Sequence, residues 1–322
     1  MKRYKWRGKR QLNRQEPVDK GDSDYQAQGG GRMYHDKFIV PPGEKIKLAD
    51  YSPGYTHHFN DESEAKEKLQ DDVKRLARYQ DVLYAQHCYA FLIVFQAMDA
   101  AGKDSTIKHV MSGLNPQGCR VHSFKAPSAE ELSHDYLWRC ISRLPERGYI
   151  GVFNRSYYEE VIVVRVHPEF LERQNLPREM INDKIWKRRF EEINNFEEYL
   201  VENGTIILKF FLNVSREEQG RRFLERLEKP EKNWKYSAND AKERAFWEDY
   251  MAAFESAFNH TSTEKAPWYI IPADHKWFTR VAVADIIIER LKHLNLSYPT
   301  LGERQLSEIE AARKALQAEA KK

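Results

Sequence analysis

Residues 91–106 read FLIVFQAMDAAGKDST. An unbroken apolar run passes into a turn that ends in Gly102-Lys103, and a segment with the look of a first helical turn follows. A buried strand that delivers backbone N–H groups and one lysine to a helix N-terminus is the layout of a phosphate-cradling loop, because the helix dipole already favours anions there. Gly102 lets the backbone approach a phosphate, and Lys103 supplies the charge. The stretch departs from G-x-x-x-x-G-K-[ST] in two places: Ala97 stands at the first glycine, and Asp104 replaces the hydroxyl that normally holds magnesium. A carboxylate at Asp104 is a harder and more charged ligand than a hydroxyl. With Asp99 adding a second carboxylate inside the loop, the pair predicts a tightly held divalent metal.

The pattern around this loop alternates. A long amphipathic helix over 62–89, with Leu69, Val73, Leu76, Tyr79 and Leu83 at helical spacing, leads into the first strand. After the loop we expect a helix over 105–114, strands at 120–124, 149–153, 205–212 and 268–271, and helices over 129–144, 215–227 and 279–294. Ser215 and Glu218 have capping-box spacing at the start of the 215–227 helix. Short apolar strands separated by helices describe an α/β fold, here a five-stranded parallel sheet covered on both faces. No repeat and no Pro/Ser-rich linker interrupts residues 40–298, so one domain over 34–298 is expected. It is preceded by a basic flexible arm at 1–33, with no acid among the first fifteen positions, and followed by a polar helical tail at 299–322.

The chain of 322 residues carries 52 basic and 49 acidic side chains, a net charge of +3, so its overall balance gives no reason to expect nucleic acid as a partner. Cys88, Cys119 and Cys140 show no paired metal spacing and suit reduced thiols filling a core. No apolar segment approaches the roughly 20 residues a membrane span needs. The N-terminus has no apolar signal region either, and a cytoplasmic location without membrane partners is expected.

Two further stretches carry chemistry. In GVFNRSYYEE (151–160) a strand ends at Phe153, and Asn154, Arg155 and Glu159 follow at the carboxyl edge, where open parallel sheets bind ligands. Asn154 adds no charge but can hold metal-bound water or a base, and Arg155 can neutralise phosphate oxygens. In 215–237 Arg222, Arg226 and Lys229 share one helix face, with Arg221, Lys232 and Lys235 nearby, Pro230 as a hinge and Trp234 re-entering. A basic helical hairpin of this kind reads as a lid over phosphates, with a solvated face as the plainer alternative. Lys125 sits just past the second strand, within reach of a phosphate. His134 and Asp135 are candidates for nucleotide contact, with capping or surface roles as the alternative, and Arg139, Arg143 and Arg147 recur every fourth residue nearby.

Taken in order, AMDAAGKDS (97–105), SFKAPS (123–128), FNRSYYEE (153–160), RRFLER…NWKYS and APWYIIPADHKWF (266–278) resemble the polyphosphate kinase 2 family, over about residues 40–295. The resemblance implies a P-loop kinase-like, thymidylate-kinase-like fold with a helical lid. It implies magnesium-dependent, reversible phosphoryl transfer between inorganic polyphosphate and a nucleotide, manganese being a candidate substitute. It places binding and catalysis on Asp99, Lys103, Asp104, Asn154, Arg155 and the lid arginines Arg221 and Arg222. Polyphosphate would lie along Ala100, Ala101, Gly102, Lys103, Ser105, Thr106, Lys125, Arg155 and Lys235, and nucleotide along Asn154, Glu159, His134 and Asp135. The run Asn154-Arg155-Ser156-Tyr157-Tyr158-Glu159 looks like the class III subgroup, which accepts both AMP and ADP, with GMP and GDP as further candidates. The family likeness also suggests a homodimer or homotetramer. An ATP-dependent nucleoside or nucleotide kinase on the same fold is the main rival. A nucleotide-responsive regulator without turnover and a polyanion-binding module are the others.

Overall fold

β1, Ala90–Gln96, is buried along its whole length because strands flank it on both sides and helices cover both faces. The computed structural model describes residues 35–57, 59, 61–234, 237 and 242–320. β2 (Cys119–Ser123), β3 (Ile150–Asn154), β4 (Thr205–Asn213) and β5 (Trp268–Pro272) complete one parallel sheet in the order β2-β3-β1-β4-β5. The chain runs from β1 out to β2, returns to β3 beside β1, then crosses to β4 on the other side of β1. The strand order reverses at β1, and a crevice opens at such a switch point, outside the carboxyl ends of the strands. Phe95 pairs with Asn154 and Gln96 with Phe211, so the ends of β1, β3 and β4 arrive together.

The helix Glu62–Gln86 starts on Asp61, whose carboxylate accepts the N–H groups of Ser63 and Glu64, and it packs along the helix Lys276–Lys292. Both elements agree with the spacing of their apolar residues. The expected helix over 129–144 is two short helices, Ala129–Leu132 and Trp138–Ile141. The reason is local: Ser133 Oγ donates back to Ala129 O at 3.0 Å, and Asp135 Oδ1 accepts the Leu137 N–H at 3.0 Å. These side-chain bonds compete with helix continuation. The helix after the phosphate loop begins at Lys103, earlier than expected, and ends at Val110. The hairpin appears as helix Arg216–Glu228 followed by Pro230–Asn233. The tail forms the helix Glu303–Glu319, exposed along its length, while the arm at 1–33 lies outside the described residues. Among the described residues no helix is long and apolar enough to cross a membrane.

Candidate active site

The loop leaving β1 turns through two left-handed residues, Ala100 (φ 60°) and Gly102 (φ 110°), before the helix begins. The second falls on a glycine, which adopts that conformation without a Cβ clash. Lys103 folds back over the loop, and its Nζ donates to Ala97 O at 2.8 Å and Met98 O at 3.3 Å. Burial and the neighbouring Arg155 push its pKa down to about 8, against the pull of Asp99, Glu159 and Asp104. Asp104 sits in the first helical turn, where its Oδ1 accepts Asn154 Nδ2 at 2.6 Å from the end of β3. Arg155 is itself left-handed (φ 64°), and its N–H donates to Phe95 O at 3.0 Å. Its guanidinium meets Asp99 at 2.8 Å and Glu159 at 3.7 Å, and these carboxylates, Glu159 first, hold its pKa up. Burial raises the Glu159 pKa, opposed by Arg155 and Lys103.

Two cavities open from this loop. One, of about 510 Å³, is lined by Ala100, Gly102, Lys103, Asp104, Ser105, Ser123, Asn154 and Lys276 at the carboxyl edge of the sheet and by Arg222, Glu225, Arg226 and Lys232 of the hairpin 216–233. Seven basic side chains face three acidic ones around it, which suits a polyanion. The other, of about 480 Å³, has a mixed lining of aromatic and balanced charged groups, among them Phe124, His134, Tyr136, Tyr157, Glu159, Phe170 and Tyr250. That chemistry suits a base and sugar better than a phosphate chain. Asp99, Phe124, Lys125, Ala126 and Arg155 line both cavities, so the partition between them carries one carboxylate and two cations.

The structure brings most of the sequence-predicted residues to this partition. Asp99, Lys125 and Arg155 stand in it, and Ala100, Gly102, Lys103, Asp104 and Ser105 stand on its basic side. Glu159 and His134 line the aromatic cavity, where His134 stacks on Trp138 with centroids 4.1 Å apart. Asn154 lines the basic cavity and not the aromatic one expected for a nucleotide contact, because its amide is committed to Asp104. Asp135 lines neither, since its carboxylate caps the following turn. Ala101 and Thr106 are buried in the loop and helix away from both cavities. Lys235 lies outside the described residues.

The lid arginines differ from expectation. Arg221 is exposed and forms a bidentate pair with Glu218 at 2.6 Å, lining neither cavity. Arg222 is 3% exposed, and its Nε donates to Glu218 at 2.7 Å. Its other nitrogens donate to Ala100 O, Ala101 O, Ala273 O and Asp274 O at 2.6–3.0 Å. Every guanidinium donor is therefore spent, four on carbonyls of the phosphate loop and the β5 exit and one on Glu218, which makes Arg222 a clamp on the loop rather than a free charge in a lid. Gln219 adds a second tie, Nε2 to Asp99 O at 2.9 Å. Sequence reasoning missed Lys276, whose pKa is lowered by burial and then by Arg222, and Arg280, which donates to Ser105 Oγ at 2.8 Å. The signal for Lys276 was its place at the first helical position after β5, the same carboxyl edge that holds Lys103.

Among the described residues no group of three or more His, Cys, Asp or Glu side chains could hold a metal ion by itself. Asp99 and Asp104 nevertheless line the same cavity as Lys103, with Asp104 oriented by Asn154. Two carboxylates fit a hard cation such as magnesium, which keeps waters and completes its shell with substrate phosphates.

Residues 59–298 match the sequence profile of the family described as polyphosphate kinase 2 (PPK2). The chain is 50% identical over 264 residues to an ADP-polyphosphate phosphotransferase of Rhodopseudomonas palustris, spanning 82% of this chain and 91% of that protein. It is 42% identical over 264 residues to an AMP/ADP-polyphosphate phosphotransferase of Meiothermus ruber, spanning 82% and 95%. The crystal structure of polyphosphate kinase 2 from Arthrobacter aurescens TC1 is similar with a TM-score of 0.78 and 39% identity, covering 87% of this chain and 95% of that one.

Proposed function

The chain belongs to the polyphosphate kinase 2 family, and on that premise we propose that it transfers a phosphoryl group reversibly between inorganic polyphosphate and adenine nucleotides, with both AMP and ADP as acceptors. One observation carries the reading: a basic cavity and an aromatic cavity meet at a partition of Asp99, Lys125 and Arg155. Polyphosphate lies in the basic cavity against Lys103, Lys276 and Arg226, and the nucleotide lies in the aromatic one with its phosphate towards Arg155. An oxygen of the acceptor phosphate attacks the terminal phosphorus of the chain in line. The bond from that phosphorus to the bridging oxygen breaks, leaving a nucleotide longer by one phosphate and a polyphosphate shorter by one.

The acceptor phosphate is already ionised near neutral pH, so no strong general base is needed, and positioning with charge neutralisation carries the catalysis. Lys103 and Arg155 balance the charge that collects on the transferred group. Asp99 and Asp104 would hold the divalent cation, magnesium with manganese as substitute, and it supplies further neutralisation of the phosphates when bound. Glu159 holds Arg155 in place from the nucleotide side. The two relatives' names differ in acceptor, and the run Asn154–Glu159 supports use of both monophosphate and diphosphate. Guanine nucleotides are proposed as secondary acceptors, and a homodimer or homotetramer as the assembly.

The test is an endpoint assay with long-chain polyphosphate, magnesium and AMP, resolving ADP and ATP by chromatography, beside a matched reaction with ATP as the only donor. ADP followed by ATP from polyphosphate is expected. Transfer from ATP alone would turn the assignment towards an ordinary nucleotide kinase.

A further inference from the structure

Lys209 lies in β4 and is 0% exposed, its amino group inside the sheet and outside both cavities. Its Nζ donates to Glu197 Oε2 at 2.6 Å, Thr261 O at 2.7 Å and the Tyr158 hydroxyl at 3.0 Å, which uses all three ammonium donors. The other Glu197 oxygen accepts the hydroxyls of Tyr157 at 2.8 Å and Tyr158 at 2.9 Å. A buried ion pair of this kind adds little net stability over well-packed apolar residues, so stability alone does not account for it. What it does account for is where it leads. Tyr157 and Tyr158 open the 3₁₀ turn Tyr157–Glu160, which is capped by Ser156, the residue after Arg155, and carries Glu159.

Arg155 holds a left-handed backbone, which strains a residue with a Cβ and persists only where its surroundings over-determine it. On the β3 side its N–H is fixed to Phe95 O at 3.0 Å. On the other side Ser156 Oγ accepts the Tyr158 N–H at 3.2 Å, and the two tyrosine rings reach down to Glu197. We propose that Lys209, Glu197 and Tyr158 are positioning residues: they anchor the Tyr157–Glu160 turn from inside the core and thereby hold Arg155 and Glu159 at the partition between the two cavities. The anchor joins β4, the helix Ile185–Glu202 and the end of the helix Trp247–Thr261 to that turn. Tyr157 and Glu159 line the aromatic cavity alone, so the device acts mainly on nucleotide placement.

The kinetic part of this inference rests on the function proposed above, and the backbone part does not. Lys209→Met strands the Glu197 carboxylate in the core and risks unfolding, so Tyr158→Phe, which removes one hydroxyl and keeps the ion pair, carries the test. The control is Ile288→Ala, a buried site in the helix Lys276–Lys292, which carries none of the anchor residues, assayed at a temperature well below both melting points. For Tyr158→Phe we expect kcat to fall about tenfold and the KM for AMP and ADP to rise, with the KM for polyphosphate within about twofold of wild type. Amide hydrogen exchange over residues 155–160 should accelerate about tenfold, and Ile288→Ala should change neither kinetics nor that exchange. Unchanged exchange at 155–160, or an equal kcat loss in Ile288→Ala, overturns the proposal. A wild-type protein without polyphosphate-dependent transfer would sink the proposed function, while the exchange comparison would still decide whether the anchor exists.

Discussion

The proposed chemistry concentrates on one side chain, Lys103, and its environment sets a measurable pH dependence. Its pKa is lowered from 10.5 to about 8, chiefly by burial. The charged form is therefore penalised in the folded protein, and that penalty is relieved as pH rises from about 8 towards 10.5. In the proposed function polyphosphate meets the charged form, so its affinity should run the other way. The KM for polyphosphate should rise as pH passes about 8, approaching tenfold per unit, while this group's contribution to stability improves over the same window. Steady-state kinetics and melting curves between pH 7 and 9.5 check both signs. Lys103→Met should raise the melting temperature and cut transfer by roughly three orders of magnitude or more, since a buried cation is removed along with the phosphate contact. Asp104→Ala removes a proposed metal ligand and leaves the Asn154 amide only the long contact to Ser123 Oγ at 3.4 Å. Magnesium activation should shift to much higher concentration, and a wild-type magnesium curve would remove Asp104 from the metal site.

At the scale of the element, the helix Arg216–Glu228 divides its labour between two arginines one turn apart. Arg222 is locked to four loop carbonyls and Glu218, whereas Arg226 lines the basic cavity beside Glu225 and Lys232. Arg222→Ala should destabilise the fold by about 3–5 kcal/mol in urea unfolding, because it leaves several buried carbonyls without their donors, while Glu218 keeps Arg221. It should weaken both substrates, since the phosphate loop borders both cavities. Arg226→Ala should leave stability within about 0.5 kcal/mol and raise the KM for polyphosphate selectively. Equal behaviour of the two variants would contradict this division. The same helix was legible in the sequence as a basic face, but the spacing of Arg222 and Arg226 is what both a free lid and a clamp would show. Only the arrival of Ala100, Ala101 and Ala273 at Arg222 separates them.

For the whole molecule, the sheet with its two covering layers forms one hydrophobic core, and the helix Glu303–Glu319 stands outside it with no buried residue. We propose that this tail adds nothing to the folded domain. Removing residues 299–322 should shift the melting temperature by less than about 2 °C and leave transfer unchanged, because no packed surface is lost. A larger drop in either would show that the tail packs against the domain or a partner. The basic cavity gives a second molecular-scale expectation. Its field attracts a polyanion, so the KM for polyphosphate should climb with added salt far more steeply than the KM for AMP. Parallel salt dependence for the two substrates would argue against separate cavities.

The sheet and the loop that carries Asp99, Lys103 and Asp104 to its carboxyl edge could be read from the sequence, because hydrophobic periodicity and a local turn are short-range properties that neighbouring residues impose on one another. Strand order, the partition shared by two cavities, Lys276 in the basic wall, the clamp at Arg222 and the Lys209–Glu197 anchor were decided by the tertiary structure alone. Each joins residues tens of positions or more apart, or, for Lys209 and Glu197, two residues on different elements, a helix and a strand. A guanidinium or ammonium in the sequence carries no mark of which carbonyls the fold will bring to it.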